Sequence, residues 1–292
     1  MRILFFTLMF ANCFCDIQDR FKTIEENTTI AGIKNVDYIY LINLDKRPEQ
    51  LEKSLRQLAP YGIRPFRFSA VSGEDLSIEA LNDVGLKFLS GMEGNQWVVH
   101  YSYEKNGAPE YDFLRDECIG QTYFSCYTPR DQIGLALSNF SILQHAYDAG
   151  YQTIWVMQDD IEVIEDPHQL SDLIEQLDLS VGTEGWDILY TDNDGEDLDS
   201  DLTKNLWWMW RSDFLPSHLH PFTKRTKIND TFSKIGSRTK THSLIIRRSG
   251  MRKILNHAKT RGIFLPIDHE LPFVPGIQMY MLRHPIVTWM NL

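Results

Sequence analysis

Apolar and polar positions alternate along this chain in two periods, and the change from one to the other marks its elements. Tyr38-Ile-Tyr-Leu-Ile-Asn-Leu44 is a β-branched and aromatic run that predicts a strand. Pro48 suits a first helical turn, and Leu51, Leu55 and Leu58 follow at helical spacing until Tyr61-Gly62. Arg64 to Ser69 reads as the next strand, with Ala70-Val-Ser-Gly73 as the turn beyond it. A strand–helix–strand start is the sequence form of a parallel α/β unit. Residues 91–130 carry no clear period and are long for a loop, which suggests a flap over a site. From Asp131, Ile133, Ala136, Leu137, Phe140, Leu143 and Tyr147 share one helical face, and Gly150 ends it.

The next stretch is the one with candidate chemistry. Thr153 to Val163 is an apolar run interrupted by Asp159 and Asp160. Such a run reads as a buried strand, and in an open α/β sheet ligands gather beyond the carboxyl ends of strands. Two adjacent anions there repel unless a cation or a hydrogen-bond network neutralises them. Oxygen ligands of this kind suit Mg²⁺ or Mn²⁺, which in turn suits a bound diphosphate. The plain alternative is an acidic strand-to-turn junction.

Beyond it, Pro167 opens a helix through Leu170, Leu173, Ile174 and Leu177, and Trp186 to Tyr190 reads as a strand. The acidic cluster Asp192, Asp194, Glu196, Asp197, Asp199 and Asp201 lacks the ligand spacing of a calcium loop and reads as a solvated loop. Leu206-Trp-Trp-Met-Trp210 is a sugar-stacking platform or, on balance, packing. The basic tract Lys224, Arg225, Lys227, Lys234, Arg238 and Lys240 is either a solvated loop or a diphosphate clamp. Thr241 to Ile246, a helix from Ser249 to Ala258, Leu265 to Leu271 and two short strands, 278–282 and 286–290, close the chain.

Composition narrows the class. The chain has 292 residues, 43% hydrophobic and 24% charged, as in an ordinary globular protein. A net charge of −11 argues against nucleic-acid binding as its general business. No internal run is apolar and long enough to span a bilayer. Met1-Arg2 followed by Ile3 to Ala11 has the form of a signal peptide, with cleavage after Cys13 or Cys15. A buried strand or a membrane-surface anchor are the other readings. The expected organisation is a signal over 1–15, a linker over 16–36 and one domain over 37–292. The signal implies a secretory location, and without it the protein would be cytoplasmic and membrane-peripheral. Cys118 and Cys126 would pair in an oxidising compartment and stay thiols in a reducing one. Asn27, Asn139 and Asn229 fit the glycosylation acceptor pattern.

Several blocks together resemble glycosyltransferase family 25, which includes lipooligosaccharide galactosyltransferases and collagen β-galactosyltransferases. These are Ile42 to Gln50, Phe68 to Gly73, Ile133 to Asn139, Val156 to Val163, Thr241 to Ile246 and Pro266 to Leu271, in the family's order. Two departures stand out: the family's Glu-Asp-Asp is Gln158-Asp159-Asp160 here, and its Ser-His is Ser138-Asn139.

The resemblance implies an α/β fold of the GT-A type with a mostly parallel central sheet. It implies an inverting, metal-dependent transfer of a hexose, galactose by family, from a UDP-sugar to a hydroxyl. The acceptor would be a glycan, a glycolipid as in lipopolysaccharide biosynthesis, or a hydroxylysine-type residue, with peripheral membrane association open. On this reading Asp159 and Asp160 hold Mn²⁺ or Mg²⁺, and Leu44, Asp45, Arg47, Ala70, Val71 and Ser72 face the nucleotide. Arg238 and Lys240 are diphosphate candidates from their charge. Asp268 is the expected base or acceptor contact, with a helix-cap role as its alternative. Glu162, two residues past Asp160 on an extended chain, is the competing base. A catalytically impaired binding module and a metal-dependent phosphohydrolase are the other classes.

Overall fold

The computed structural model describes residues 16–25, 32–94, 96–193, 210–214, 222 and 224–290. The expected signal (1–15), the acceptor pattern at Asn27, the acidic residues from Asp194 to Asp201 and the tryptophans Trp207 and Trp208 lie outside these residues.

In chain order the first half comprises β1 (Tyr38–Asn43), α1 (Pro48–Leu58), β2 (Phe66–Ser69), α2 (Ile78–Val84), β3 (Leu86–Lys87), β4 (Trp97–Tyr101), β5 (Pro109–Phe113), β6 (Thr122–Ser125) and α3 (Arg130–Asp148). The second half comprises β7 (Thr153–Gln158), β8 (Ile161–Val163), α4 (Leu170–Val181), β9 (Ile188–Tyr190), β10 (Arg225–Lys227), β11 (Phe232–Ile235), β12 (Ser243–Arg247), α5 (Arg248–Arg261), α6 (Ile267–Glu270), β13 (Met279–Leu282) and β14 (Val287–Trp289).

Eight strands form one sheet in the order β10-β11-β13-β9-β12-β7-β1-β2. Side chains alternate across it, as strand geometry requires. Tyr38, Tyr40, Ile154, Val156, Leu244 and Ile246 pack under α3 and α5, while Ile39, Leu41, Trp155, Met157 and Ile245 pack under α1 and α4. Helices on both faces explain why the central strands are buried along their whole length.

The sheet is mixed rather than mostly parallel, which corrects the expectation. β1 runs parallel to both β2 and β7, and β13 to β9. The other pairings, β12 with β7 and β9, β11 with β13 and β10 with β11, are antiparallel. The parallel unit read from the first strands is therefore real but local.

A second correction concerns 91–130. This stretch supplies β4, β5 and β6 of a four-stranded sheet, β3-β6-β4-β5, whose apolar side is closed by Leu86, Val98, Tyr123 and Phe264. The segment expected as a linker also packs. Ile17 is 4% exposed in the main core, and Lys22 donates through Nζ to the Ser69 carbonyl and hydroxyl at 2.8 Å. Cys118 and Cys126 are free thiols, and burial pushes the Cys126 thiol up. Asn139 is 6% exposed inside α3, where its amide donates to the Leu135 carbonyl at 2.9 Å. A glycan there would have to leave the core.

Candidate functional site

β1 and β7 lie side by side and parallel, but the chain leaves β1 toward β2 and returns to β7 on the other flank. Strand order reverses there, which opens a crevice beyond the carboxyl ends of the two strands. A cavity of about 160 Å³ occupies that position. Leu44 and Arg47 line it from β1, Ala70 and Val71 from β2, Gln158 and Asp159 from β7. The start of α3 closes it with Gln132 and Leu135. Five residues expected at a ligand from the sequence, Leu44, Arg47, Ala70, Val71 and Asp159, thus share one wall.

Two glycines set how tightly the turn after β2 sits on α3. A Cβ on Gly134 would lie 2.5 Å from the Val71 carbonyl, and one on Gly73 would lie 1.7 Å from that of Arg130. The Val71 amide donates to Ser138 Oγ at 2.8 Å. Arg130 donates through Nε to the Gly73 carbonyl at 3.1 Å and also holds Leu76 and Gly107. Ser72 precedes the short turn 73–75, accepting from the Asp75 amide through its carbonyl, and is not among the residues that line the cavity.

At the floor is Asn43, 1% exposed. Its amide donates to Asp159 Oδ2 at 2.7 Å and to the Arg47 carbonyl at 2.9 Å, while its oxygen accepts from Arg67 Nε at 2.9 Å. Asp159, 4% exposed, also lies 3.3 Å from the Arg47 guanidinium. Burial raises its carboxyl above the ordinary aspartate range, although the Asn43 amide and Arg47 oppose that shift. Asp45 is exposed and held by Arg67 and by Ser69 Oγ at 2.9 Å, and these bonds lower its carboxyl.

Asp160 faces the other way. Its Oδ1 is 2.9 Å from His242 Nδ1, and its carbonyl accepts from the Met290 amide at 2.7 Å. The His242 ring stacks on Trp289, centroids 5.7 Å apart at 24°. Lys240 Nζ stands over the same indole at 3.2 Å from the ring centroid. Asp268 Oδ2 accepts from the Lys240 amide at 2.7 Å, and its Oδ1 from the His269 amide at 3.0 Å. Both Asp268 oxygens therefore serve backbone groups. Asp268 lies within the first turn of α6 rather than at its N-cap, which is Pro266. Glu162 is exposed on β8, opposite Thr288.

The two acids expected to share an ion are thus partnered on opposite sides of the β7 end. Among the described residues, no three His, Cys, Asp or Glu side chains converge as a metal cage. Beside the β7 end, Asp160 and His242 pair one carboxylate with one imidazole.

Arg238 is not a free clamp. It is 1% exposed, ion-paired with the fully buried Asp192 at 3.1 Å and stacked on Tyr190 at 4.3 Å. Asp192 Oδ2 also accepts from the His242 amide at 3.2 Å. Burial raises the Asp192 carboxyl even with that guanidinium beside it. Asp192 is therefore a buried structural anion, not part of a solvated loop.

Gln158 explains its own departure from the expected glutamate. Its Nε2 donates to the Thr241 carbonyl at 2.8 Å, a bond that an ionised carboxylate cannot make. Glu270 accepts from Arg211, from His257 Nε2 at 2.8 Å and from the Leu265 amide at 3.1 Å. Burial lowers the His257 pKa to about 3, so that contact is a hydrogen bond from a neutral ring.

Asn43, Arg67, Ser138, His242 and Trp289 belong to these networks but were not named as site residues from the sequence. Asn43, Ser138 and His242 lie in the family-like blocks, and Asn43 had a further signal: an amide closing an otherwise apolar strand must find buried partners.

No protein-family model matches the chain. Curated relatives named as glycosyltransferase 25 family members do. One from Aedes aegypti is 25% identical over 256 residues, covering 88% of this chain and 33% of its own length. One from Drosophila melanogaster is 23% identical over 271 residues, covering 93% and 35%. One from Anopheles gambiae is 24% identical over 255 residues, covering 87% and 33%. The chain is similar to members of glycosyltransferase family 25. It spans about a third of the length of the curated relatives it matches. The blocks that resemble family 25 and begin at Ile42, Phe68, Ile133 and Val156 all border the cavity, and those at Thr241 and Pro266 lie around Lys240 and His242.

Proposed function

We propose that the chain is a sugar transferase domain of the GT-A type, moving a hexose from a UDP-sugar to a hydroxyl of a glycan, glycolipid or hydroxylysine-type acceptor with inversion. The observation that carries this reading is the convergence of Leu44, Arg47, Ala70, Val71 and Asp159 on one crevice between β1 and β7. Galactose is the donor sugar favoured by the family. Leu44, Ala70 and Val71 offer an apolar edge to a nucleobase, and Arg47 offers a partly exposed guanidinium. Lys240 presents an ammonium toward the diphosphate, with its backbone held by Asp268.

A divalent cation, Mn²⁺ or Mg²⁺, would be held at Asp160 and would neutralise charge developing on the departing diphosphate. Glu162 is the proposed base for the acceptor hydroxyl, since it is exposed whereas both Asp268 oxygens are committed. Asp268 is then a positioning residue.

The test is transfer of labelled sugar from a panel of UDP-sugars, with thermal stabilisation by UDP measured alongside. Glu162→Gln should lower turnover by about a hundredfold or more while leaving the UDP-induced shift intact. No shift at millimolar UDP would overturn the reading. A shift without turnover on any acceptor would identify a binding module instead.

A further inference from the structure

A second cavity, of about 280 Å³, shares no lining residue with the crevice between β1 and β7. α6 is tied to both regions. Asp268 accepts from the amide of Lys240, and Glu270, two residues on, accepts from His257, which lines the second cavity. Phe214 and Phe273 meet edge to face in its wall, with ring centroids 5.4 Å apart at 80°, and Pro272 and Pro275 line it with them. Its polar side is built from groups that the core encloses. His257 is 7% exposed, and the side chains of Arg211 and Asp213 are 1% and 3% exposed.

These groups set the charge that a ligand can carry. Arg211 pairs with Asp213 at 2.9 Å and with Glu270, and Arg261 pairs with Asp213 at 2.9 Å. Two cations thus meet two carboxylates, and His257 stays neutral because burial and Arg211 lower its pKa to about 3. No charge is left over to attract an ion, and an ion brought in would lose water without gaining a partner. Since His257 Nε2 donates to Glu270 Oε1 at 2.8 Å, Nδ1 of the neutral ring is a bare acceptor. Among the described residues that nitrogen has no hydrogen-bond partner.

We infer that this cavity is a subsite for one uncharged monosaccharide unit, held apart from the reacting hydroxyl. The C–H face of a sugar ring packs on the aromatic and proline wall, while one of its hydroxyls donates to His257 Nδ1. Arg261, 47% exposed, keeps guanidinium donors for the oxygen of a second hydroxyl. The volume falls just below the roughly 300–1,000 Å³ of sites for drug-sized ligands, which suits one ring rather than a chain of them. That the unit belongs to a glycan acceptor rests on the transferase reading, whereas the preference for a neutral sugar ring does not.

The experiment is saturation-transfer NMR on the full chain with methyl glycosides of galactose, glucose, mannose and N-acetylglucosamine, titrated to tens of millimolar. At least one should receive saturation and give a measurable Kd. Glucuronate and glucosamine, which carry charge, should bind more weakly than their neutral parents. Phe214→Ala should weaken binding about three- to tenfold, and Phe214→Trp should restore it. His257→Leu, which removes the acceptor nitrogen, should weaken it by a similar factor. Thermal melting confirms that each variant folds, and Phe214, 39% exposed, is the wall residue least committed to the core. No saturation with any neutral glycoside, equal or tighter binding of the charged sugars, or binding unchanged in either Phe214→Ala or His257→Leu would overturn the inference. UDP stabilisation in the same samples keeps the two readings apart, and it should persist in Phe214→Ala. If UDP stabilises while no glycoside binds, the subsite alone is wrong. If the glycoside binds as described without UDP stabilisation, the transferase reading alone is wrong.

Discussion

The two sides of the β7 end hold their carboxylates by different means. On the β1 side, Asp159 is enclosed by an amide and a guanidinium, and the wall opposite is set by glycine contacts with no atom to spare. On the β12 side, Asp160 meets an imidazole whose backbone hangs from a buried Asp192–Arg238 pair. Two acids adjacent in sequence therefore do separate work. The first lines the cavity, while the second is hydrogen-bonded to His242. Gln158 joins the two sides, with its backbone in β7 and its amide on the Thr241 carbonyl.

Substitutions can break this contrast. Arg238→Met should have the largest effect, because it leaves Asp192 buried without its counter-charge. A loss of about 3–5 kcal/mol in denaturant unfolding is expected. If stability held and UDP stabilisation alone disappeared, Arg238 would be a ligand contact after all. Gly134→Ala should cost about 2 kcal/mol, since the new methyl meets Val71 backbone that cannot move aside cheaply. The UDP-induced shift should shrink with it. Gln158→Glu sets a carboxylate against a carbonyl and should cost about 1–2 kcal/mol by the same unfolding measurement.

A pH titration sharpens the contrast further. Burial raises the Asp159 carboxyl above its unfolded value of 3.8, so the folded state takes up a proton first. Stability should fall as pH rises from there through the folded value, and Asp159→Asn should remove that slope. Asp45→Asn breaks an exposed pair with Arg67 and should change stability by less than about 1 kcal/mol.

Much of the scaffold was legible because period and burial agree. β1, β7 and β12 are buried along nearly their whole length, and Ile133 through Leu143 mark the core face of α3. The four-stranded sheet was not legible. β4 and β5 carry Trp97 and Tyr111 outward, 62% and 63% exposed, so apolar no longer means inside. The mixed direction of the large sheet escaped for a related reason, since strand periodicity is the same for either orientation.

At the cavity, the family resemblance supplied Leu44, Arg47, Ala70 and Val71, and the interrupted apolar run supplied Asp159. Pairings between residues far apart in the chain were invisible. Asp160 meets His242 across 82 positions, and Arg238 meets Asp192 across 46. A basic residue in an acidic protein looked like a ligand for phosphate, but charge type carries no information about burial.

Lys240 adopts φ 70°, in left-handed backbone space that glycine enters freely and a lysine enters at a cost of roughly 1 kcal/mol. Glycine would relax this corner, yet it would leave the Trp289 indole bare of its ammonium. Local conformational ease has been given up where an ammonium is stationed over that indole. Lys240→Gly should therefore yield a protein at least as stable and poorer at retaining polyanions, a trade in which sturdiness and grip move in opposite directions.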